Sequence, residues 1–176
     1  MSSQRVTRLW PRALVVLLLV ATAACHRAVA TTTVILVRHA ERPPGSDPDL
    51  LPAGQARAES LAVALARTSV AAIIHTQFKR TQQTAAPLAA RQSLSPSVVA
   101  ATGTEAQHAQ AVLAQIHLFA GRTVVYVGHS NTVPAVIQAL GLVPPPTIGD
   151  TEYNHFYIVT TAPGRPPSLV QVRYGQ

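Results

Sequence analysis

Cysteine occurs once in the 176 residues, at Cys25, and methionine and tryptophan also occur once each. A single thiol excludes an internal disulfide and any zinc site built on cysteine, so such a chain must be held together by packing. Charged residues are few as well, 12% against 48% hydrophobic, a balance that excludes an intrinsically disordered chain and fits one domain with a core of its own. Aromatic residues amount to 5%, too few to interleave with basic side chains along a nucleic-acid-binding face. The 14 prolines and 9 glycines are scattered between apolar runs, which leaves no collagen-like, low-complexity or repeated stretch.

The formal charge of +7 is unevenly placed. Arg5, Arg8, Arg12 and Arg27 fall within the first 30 residues, which hold no acid, and the remainder carries ten basic and seven acidic residues, a formal +3. Three of those arginines precede the run Ala13 to Ala24, whose twelve residues fall short of the roughly 20 that span a bilayer as a helix. The run is followed by a short polar stretch ending in Ala28-Val29-Ala30. This layout predicts a secretory signal peptide over residues 1–30 and an exported domain, periplasmic or secreted, over residues 31–176. Two rivals stay open. One is an uncleaved short anchor; the other is lipid attachment at Cys25, because Ala23-Ala24-Cys25 resembles a bacterial lipoprotein signal, although Thr22 stands where such signals usually carry Leu. Without the targeting charge no basic run points to a nucleic-acid partner, and membrane contact is expected only through a lipid at Cys25.

From Thr33 onward, short β-branched runs alternate with longer Ala/Leu-rich stretches, the pattern of a three-layer α/β fold with a mostly parallel central sheet. Strands are predicted at Thr33 to Val37, Ala71 to His75, Ser97 to Ala100, Thr123 to Gly128, His155 to Thr160 and Leu169 to Arg173. A first helix starts at Pro52 and runs to about Ala66, with Ala58, Leu61, Ala62 and Leu65 on one buried face. A second covers about Arg80 to Arg91. The third follows Thr102, three residues before Glu105 in capping-box spacing, and runs to about Phe119; the fourth follows Thr132 and stops at Gly141 and the Pro144-Pro145-Pro146 turn.

The first strand ends in Val37-Arg38-His39-Ala40-Glu41-Arg42 and the fourth in Val127-Gly128-His129-Ser130-Asn131-Thr132, which brings two histidines to the carboxyl edge of a parallel sheet, where such sheets bind ligands. The second strand ends at His75-Thr76 and leads through Lys79-Arg80-Thr81 into a helix N-terminus, adding basic side chains and backbone N–H groups to the same edge. Together these predict an anion pocket. A neutral imidazole is a competent nucleophile toward phosphorus, arginines hold a phosphoryl group and neutralise charge in the transition state, and a protonated second histidine can donate to a non-bridging oxygen.

These segments resemble the histidine phosphatases, the phosphoglycerate mutase-like superfamily, whose mark is Arg-His-Gly/Ala at the end of the first strand; here it reads Arg38-His39-Ala40-Glu41. Leu51-Pro52-Ala53-Gly54 is similar to the family's Leu-Thr-Pro-x-Gly helix start, and Lys79-Arg80-Thr81-Gln82-Gln83-Thr84-Ala85 and Val127-Gly128-His129 follow in order. The resemblance covers most of Thr33 to Tyr174. It implies a small phosphorylated substrate, no cofactor and no metal, with His39 as phosphorylated nucleophile, Arg38 and Arg80 on phosphate, and His129 completing the pocket. Family members commonly carry Ser near His75, so that His75 either touches phosphate or caps its strand.

The family's carboxylic acid is less plainly placed. Ser130 stands directly after His129, and Glu105 is the one acid between Arg80 and His129, so Glu105 is the candidate proton donor, with a helix-capping role as its alternative. Glu41 is a second candidate, able equally to pair with Arg42 or Arg80, and Glu152 a more distant one. His108 and His117 are expected at the surface and His155 in a strand. Lys79 reads as either a loop charge or a substrate contact, Asn131 and Thr132 as helix-start residues, and Pro43 to Pro48 and Pro144 to Asp150 as pocket rims. The expected activity is a phosphomonoesterase. Its rivals are a phosphate-binding protein that has lost turnover, a phosphomutase, and a metal hydrolase using His39, His75 and His129.

Overall fold

The computed structural model describes residues 30–142 and 148–175. Residues 1–29, with most of the expected signal peptide and Cys25, and the Pro144-Pro145-Pro146 turn lie outside the described residues. The elements run β1 (Thr32–Arg38), α1 (Pro52–Ala64), β2 (Val70–His75), α2 (Lys79–Gln92), β3 (Ser97–Val98), α3 (Glu105–His117), β4 (Thr123–Gly128), α4 (Thr132–Ala139), β5 (His155–Ala162) and β6 (Arg165–Arg173). They build one six-stranded sheet in the order β3-β2-β4-β1-β5-β6. The first four are parallel, while β5 runs antiparallel to β1 and β6 antiparallel to β5.

The central strands are apolar on both faces because both faces are covered. Successive side chains of a strand point to opposite sides, so Val34, Leu36, Val124 and Tyr126 pack with Val112 and Ile116 of α3 and Val136 and Ile137 of α4. Their neighbours Ile35, Val37, Val125 and Val127 pack on the other side with Leu61 of α1 and Leu88 of α2. Helix, sheet, helix is therefore the layering, and each fully buried Leu, Ile or Val in it contributes roughly 1.5–3 kcal/mol of transfer free energy.

Two predicted boundaries shift for identifiable reasons. The strand expected at Ser97 to Ala100 shortens to two paired residues, with Val99 still donating its N–H to the His75 carbonyl at 2.9 Å before the chain turns away. The third helix is capped by Thr104 rather than Thr102: its side chain accepts from the Gln107 N–H, and the Gln107 side chain accepts in return from the Thr104 N–H. Glu105 is thus the first helical residue, released from the capping role.

Gly54 fixes how α1 meets the segment after β1. A Cβ there would overlap the backbone carbonyl oxygen of Glu41, and that same carbonyl accepts the Leu51 N–H at 2.9 Å. The close approach, open only to glycine, sets the height of the loop that carries His39.

Candidate active site

Three strands deliver one chemically useful side chain each, in every case on the first residue past the strand. His39 follows β1, Thr76 follows β2 and His129 follows β4. The three strands are adjacent, with β4 in the middle, so the three side chains meet at one edge. The backbone there is pinned: His39 N–H donates to the Gly128 carbonyl at 2.9 Å, and Ala40 N–H donates to Thr84 Oγ1 at 2.9 Å. Thr84 in turn donates to the Arg80 carbonyl at 2.7 Å, tying the loop that carries His39 to the first turn of α2.

His39 and His129 are buried with ring centroids 5.4 Å apart, edge to face. His39 Nδ1 lies 2.8 Å from the carbonyl oxygen of its neighbour Ala40, an acceptor only, so Nδ1 carries the proton and donates it there. In the neutral ring Nε2 is then left with its lone pair. Burial, reinforced by Arg38, Arg80 and Arg42, holds the His39 imidazole at about 4 despite the pull of the Ala40 carbonyl in the other direction. Burial, reinforced chiefly by Arg80, holds His129 at about 3. Both rings are therefore neutral at pH 7 in the unliganded site. His129 Nε2 shares a hydrogen bond of 2.9 Å with Thr76 Oγ1.

The arginines are held by groups that leave part of each guanidinium unpaired. Arg38 Nη1 donates to the carbonyls of Gly149 and Asp150, both at 2.7 Å, and its head lies over the Tyr153 ring at 4.3 Å. Its buried Nε has no hydrogen-bond partner. Arg80 lies over Phe78 at 4.1 Å and 3.5 Å from Asp47 Oδ1, yet its buried Nε and Nη1 make no hydrogen bond. Buried donors without a hydrogen bond cost about 1–3 kcal/mol each, and both guanidinium groups belong to the wall of one cleft. The cleft, of about 370 Å³, is lined as well by His39, His129, Arg42 and Glu105.

Glu105 stands at the mouth of that cleft, exposed, and accepts a hydrogen bond from Asn131 Nδ2 at 2.8 Å. Asn131 therefore orients the acid rather than capping α4 with its side chain. The other two carboxylates are occupied elsewhere. Glu41 receives both Nε and Nη2 of Arg57, at 2.9 and 2.6 Å, in a pair that does not face the cleft. Burial pushes its carboxyl up, but the Arg57 hydrogen bonds outweigh this and leave it below its ordinary range. Glu152 accepts from the Gly149 N–H at 2.7 Å and approaches His155 at 3.2 Å, shaping the turn that Arg38 holds.

His75 is not in the cleft. Its Nδ1 donates to the Thr76 carbonyl, 2.6 Å away, and it lines a separate cavity with Gln82 and Pro96. Thr76, fully buried, stands behind the cleft and bonds His129 through its hydroxyl. His108, expected at the surface, is 3% exposed, because it shares a helix face with Ala109, Val112 and Ile116. Its Nδ1 meets the Ala100 carbonyl at 3.0 Å and its Nε2 the Tyr126 hydroxyl at 2.8 Å; Tyr126 bonds Thr132 Oγ1, which also accepts the His129 N–H, both at 2.9 Å. His117 is exposed and His155 is buried in β5. Lys79 is an exposed partner of Asp49, and its N–H is taken by Asp47 of the Pro43 to Pro48 rim. Among the described residues, no three His, Cys, Asp or Glu side chains gather as a possible metal ligand set, so the trio His39, His75 and His129 is not assembled. No helix of the described residues is long and apolar enough to cross a membrane.

The parallel sheet with its helices on both faces, and a cleft of two neutral histidines and unpaired arginine donors at its carboxyl edge, define a class of α/β anion-binding site. A family model of the histidine phosphatase superfamily, branch 1, matches residues 34–102, the stretch that supplies Arg38, His39, Thr76 and Arg80. By that match and by its fold, the chain resembles this superfamily. Its fold is shared with a mycobacterial glucosyl-3-phosphoglycerate phosphatase, at 15% identity and a TM-score of 0.65, covering 82% of this chain and 99% of that one. It is also shared with the protein histidine phosphatase SixA complexed with tungstate, at 17% identity and 0.64, covering 80% and 96%. Phosphoglycerate mutase from Bacillus anthracis is similar at 12% identity and 0.64, covering 82% and 93%. No curated protein matches the sequence.

Proposed function

We propose that this chain is a phosphomonoesterase that works through a covalent phosphohistidine on His39. The observation that carries the reading is one cleft lined together by the guanidinium groups of Arg38 and Arg80 and by His39, an imidazole whose Nδ1–H is tied to Ala40. The arginines hold the phosphoryl oxygens while His39 Nε2 forms a bond to phosphorus and the bond to the ester oxygen breaks. Glu105, when protonated, gives its proton to that leaving oxygen. Water then attacks phosphorus while giving a proton to the Glu105 carboxylate, the N–P bond breaks, and phosphate leaves with His39 and the acid both restored. His129 lines the cleft beside the non-bridging oxygens, with Thr76 behind it as its hydrogen-bond partner. The same reading places the enzyme outside the cytoplasm, exported through residues 1–30.

The test is phosphate release from p-nitrophenyl phosphate by residues 31–176 with EDTA present. Wild type should turn over, and His39→Ala should lose about a thousandfold or more, as removal of a nucleophile does; acid quench of the wild type should trap an acid-labile phosphohistidine. A folded wild type that binds phosphate without turnover would instead make it a phosphate-binding relative, a reading favoured by the solvent exposure of Glu105. Fractionation of cells expressing the full chain, with and without Cys25→Ala, tests export and lipid attachment.

A further inference from the structure

The Glu105–Asn131 pair has space on both sides. Toward the sheet lies the arginine-lined cleft; on the opposite side a groove of about 780 Å³ runs between α3 and α4, and Thr104, Glu105 and Asn131 belong to the walls of both. The two spaces therefore meet at the residue that stands as proton donor. Their chemistry differs sharply. The cleft holds Arg38, Arg42 and Arg80, whereas beyond Glu105 the groove is lined only by uncharged residues. Ala106, Ala109, Ala135 and Ala139 form its floor and sides, with Gln110 and Gln138 among the polar residues of its lining.

We propose that this groove is the leaving-group subsite, and that the substrate is a phosphate monoester whose alcohol portion is elongated, uncharged and largely apolar. The inference rests on the phosphomonoesterase reading and deepens it. With phosphorus beside His39, the bridging oxygen points toward Glu105, and whatever that oxygen carries must continue past Glu105 and Asn131 into the groove. A second phosphate or carboxylate there would meet no cation and would lie beside the Glu105 carboxylate. The alanine methyls instead offer apolar contact to a chain, and the glutamines offer hydrogen bonds to a hydroxyl or amide along it. The absence of large side chains from these helix positions is what opens the groove, since two helices packed through bulkier residues would fill it.

The experiment measures binding of ethylphosphonate, n-butylphosphonate and n-hexylphosphonate by calorimetry, which needs no turnover. Affinity should rise at least about tenfold from ethyl to hexyl, since each added methylene gains apolar contact. The exposed-site variants Ala106→Trp and Gln138→Trp should remove that gain by filling the groove. Equal affinities along the series, or a gain that persists in both tryptophan variants, would overturn the subsite. A wild type that self-associates and dissociates in the tryptophan variants, with no chain-length effect, would assign the groove to a second copy and equally overturn it. Hydrolysis of n-hexyl phosphate separates the two claims: a chain-length gain in binding without turnover would leave the subsite standing and remove the phosphomonoesterase.

Discussion

Asn131 donates from Nδ2 to Glu105 Oε1 at 2.8 Å and so couples the first residue of α3 to the residue preceding α4. A carboxylate on an exposed helix start would otherwise sample many rotamers; this bond selects one that faces the cleft.

Glu105→Gln should therefore lower kcat on an alkyl phosphate by about 100-fold or more, the range of general acid catalysis. The loss on p-nitrophenyl phosphate should be much smaller, because its leaving oxygen departs without a proton. Asn131→Ala should cost roughly three- to tenfold in kcat on the alkyl ester, about one hydrogen bond's worth, and little on the aryl ester. Steady-state rates on the two substrates check this, and equal losses on both would remove Glu105 from the acid's role.

The two site histidines make the folded protein acid-sensitive. His39 and His129 are held at about 4 and about 3, against about 6.5 in an unfolded chain. Above pH 6.5 neither state binds the protons; as pH falls from 6.5 toward 4 and 3 the unfolded chain takes them up and the folded protein does not, so stability declines through that window. For His39 the full loss is roughly 3 kcal/mol. The measurement is Tm against pH: His39→Asn should lose less between pH 7 and pH 4 than wild type. The kcat/KM of wild type, which needs neutral His39, should hold its value down to about pH 5 in the same limb.

Glu41 and Arg57 form a partly buried pair, with side chains 19% and 13% exposed, and Arg57 also donates to the carbonyls of Tyr174 and Gly175. Glu41→Gln leaves a half-buried guanidinium without its charge partner and should destabilise by about 1–3 kcal/mol. Its kcat on an alkyl phosphate should fall by only a few fold, which denaturant unfolding and alkyl phosphate assays together would establish. A loss of kcat as large as that of Glu105→Gln would reinstate Glu41 as a proton donor.

Gly128→Ala should abolish both stability and activity. An added Cβ would stand 2.5 Å from Tyr126 Cε1, 2.6 Å from its hydroxyl and 2.7 Å from Thr132 Oγ1, the atoms through which His108 is linked to the His129 N–H. Thr132→Val probes the same link more gently, removing the acceptor of that N–H; it should cost about 1–3 kcal/mol of stability and lower kcat with it, read by thermal unfolding and rate measurements.

The fold was legible in the β-branched runs because buried parallel strands need no polar alternation, and β4 begins and ends where its Thr123 to Gly128 pattern does. The site was legible at Arg38, His39, Arg80, His129 and Glu105, all of which line one cleft. Of the two readings open for His75, the strand-end one is what the structure shows, and Thr76, one position past its strand as His39 and His129 are, is the residue that meets His129. His108 was misread by its distance from His117, although its spacing to Val112 and Ile116 marks a buried helix face. The cap on α3 had two sequence solutions, Thr102 with Glu105 and Thr104 with Gln107, and only the loop's geometry chooses between them. The hydrogen bond from Asn131 to Glu105 joins residues 26 apart and has no local signal.

The position of β4 between β1 and β2 has a consequence for how the chain folds. The two strands made first are not neighbours, and neither can complete its pairing until residues 123–128 slide in between them. A nascent chain that stops short of β4 would expose two apolar strands with no partner for each other, so this architecture folds late and all at once, the slow kinetics expected of long-range parallel pairing.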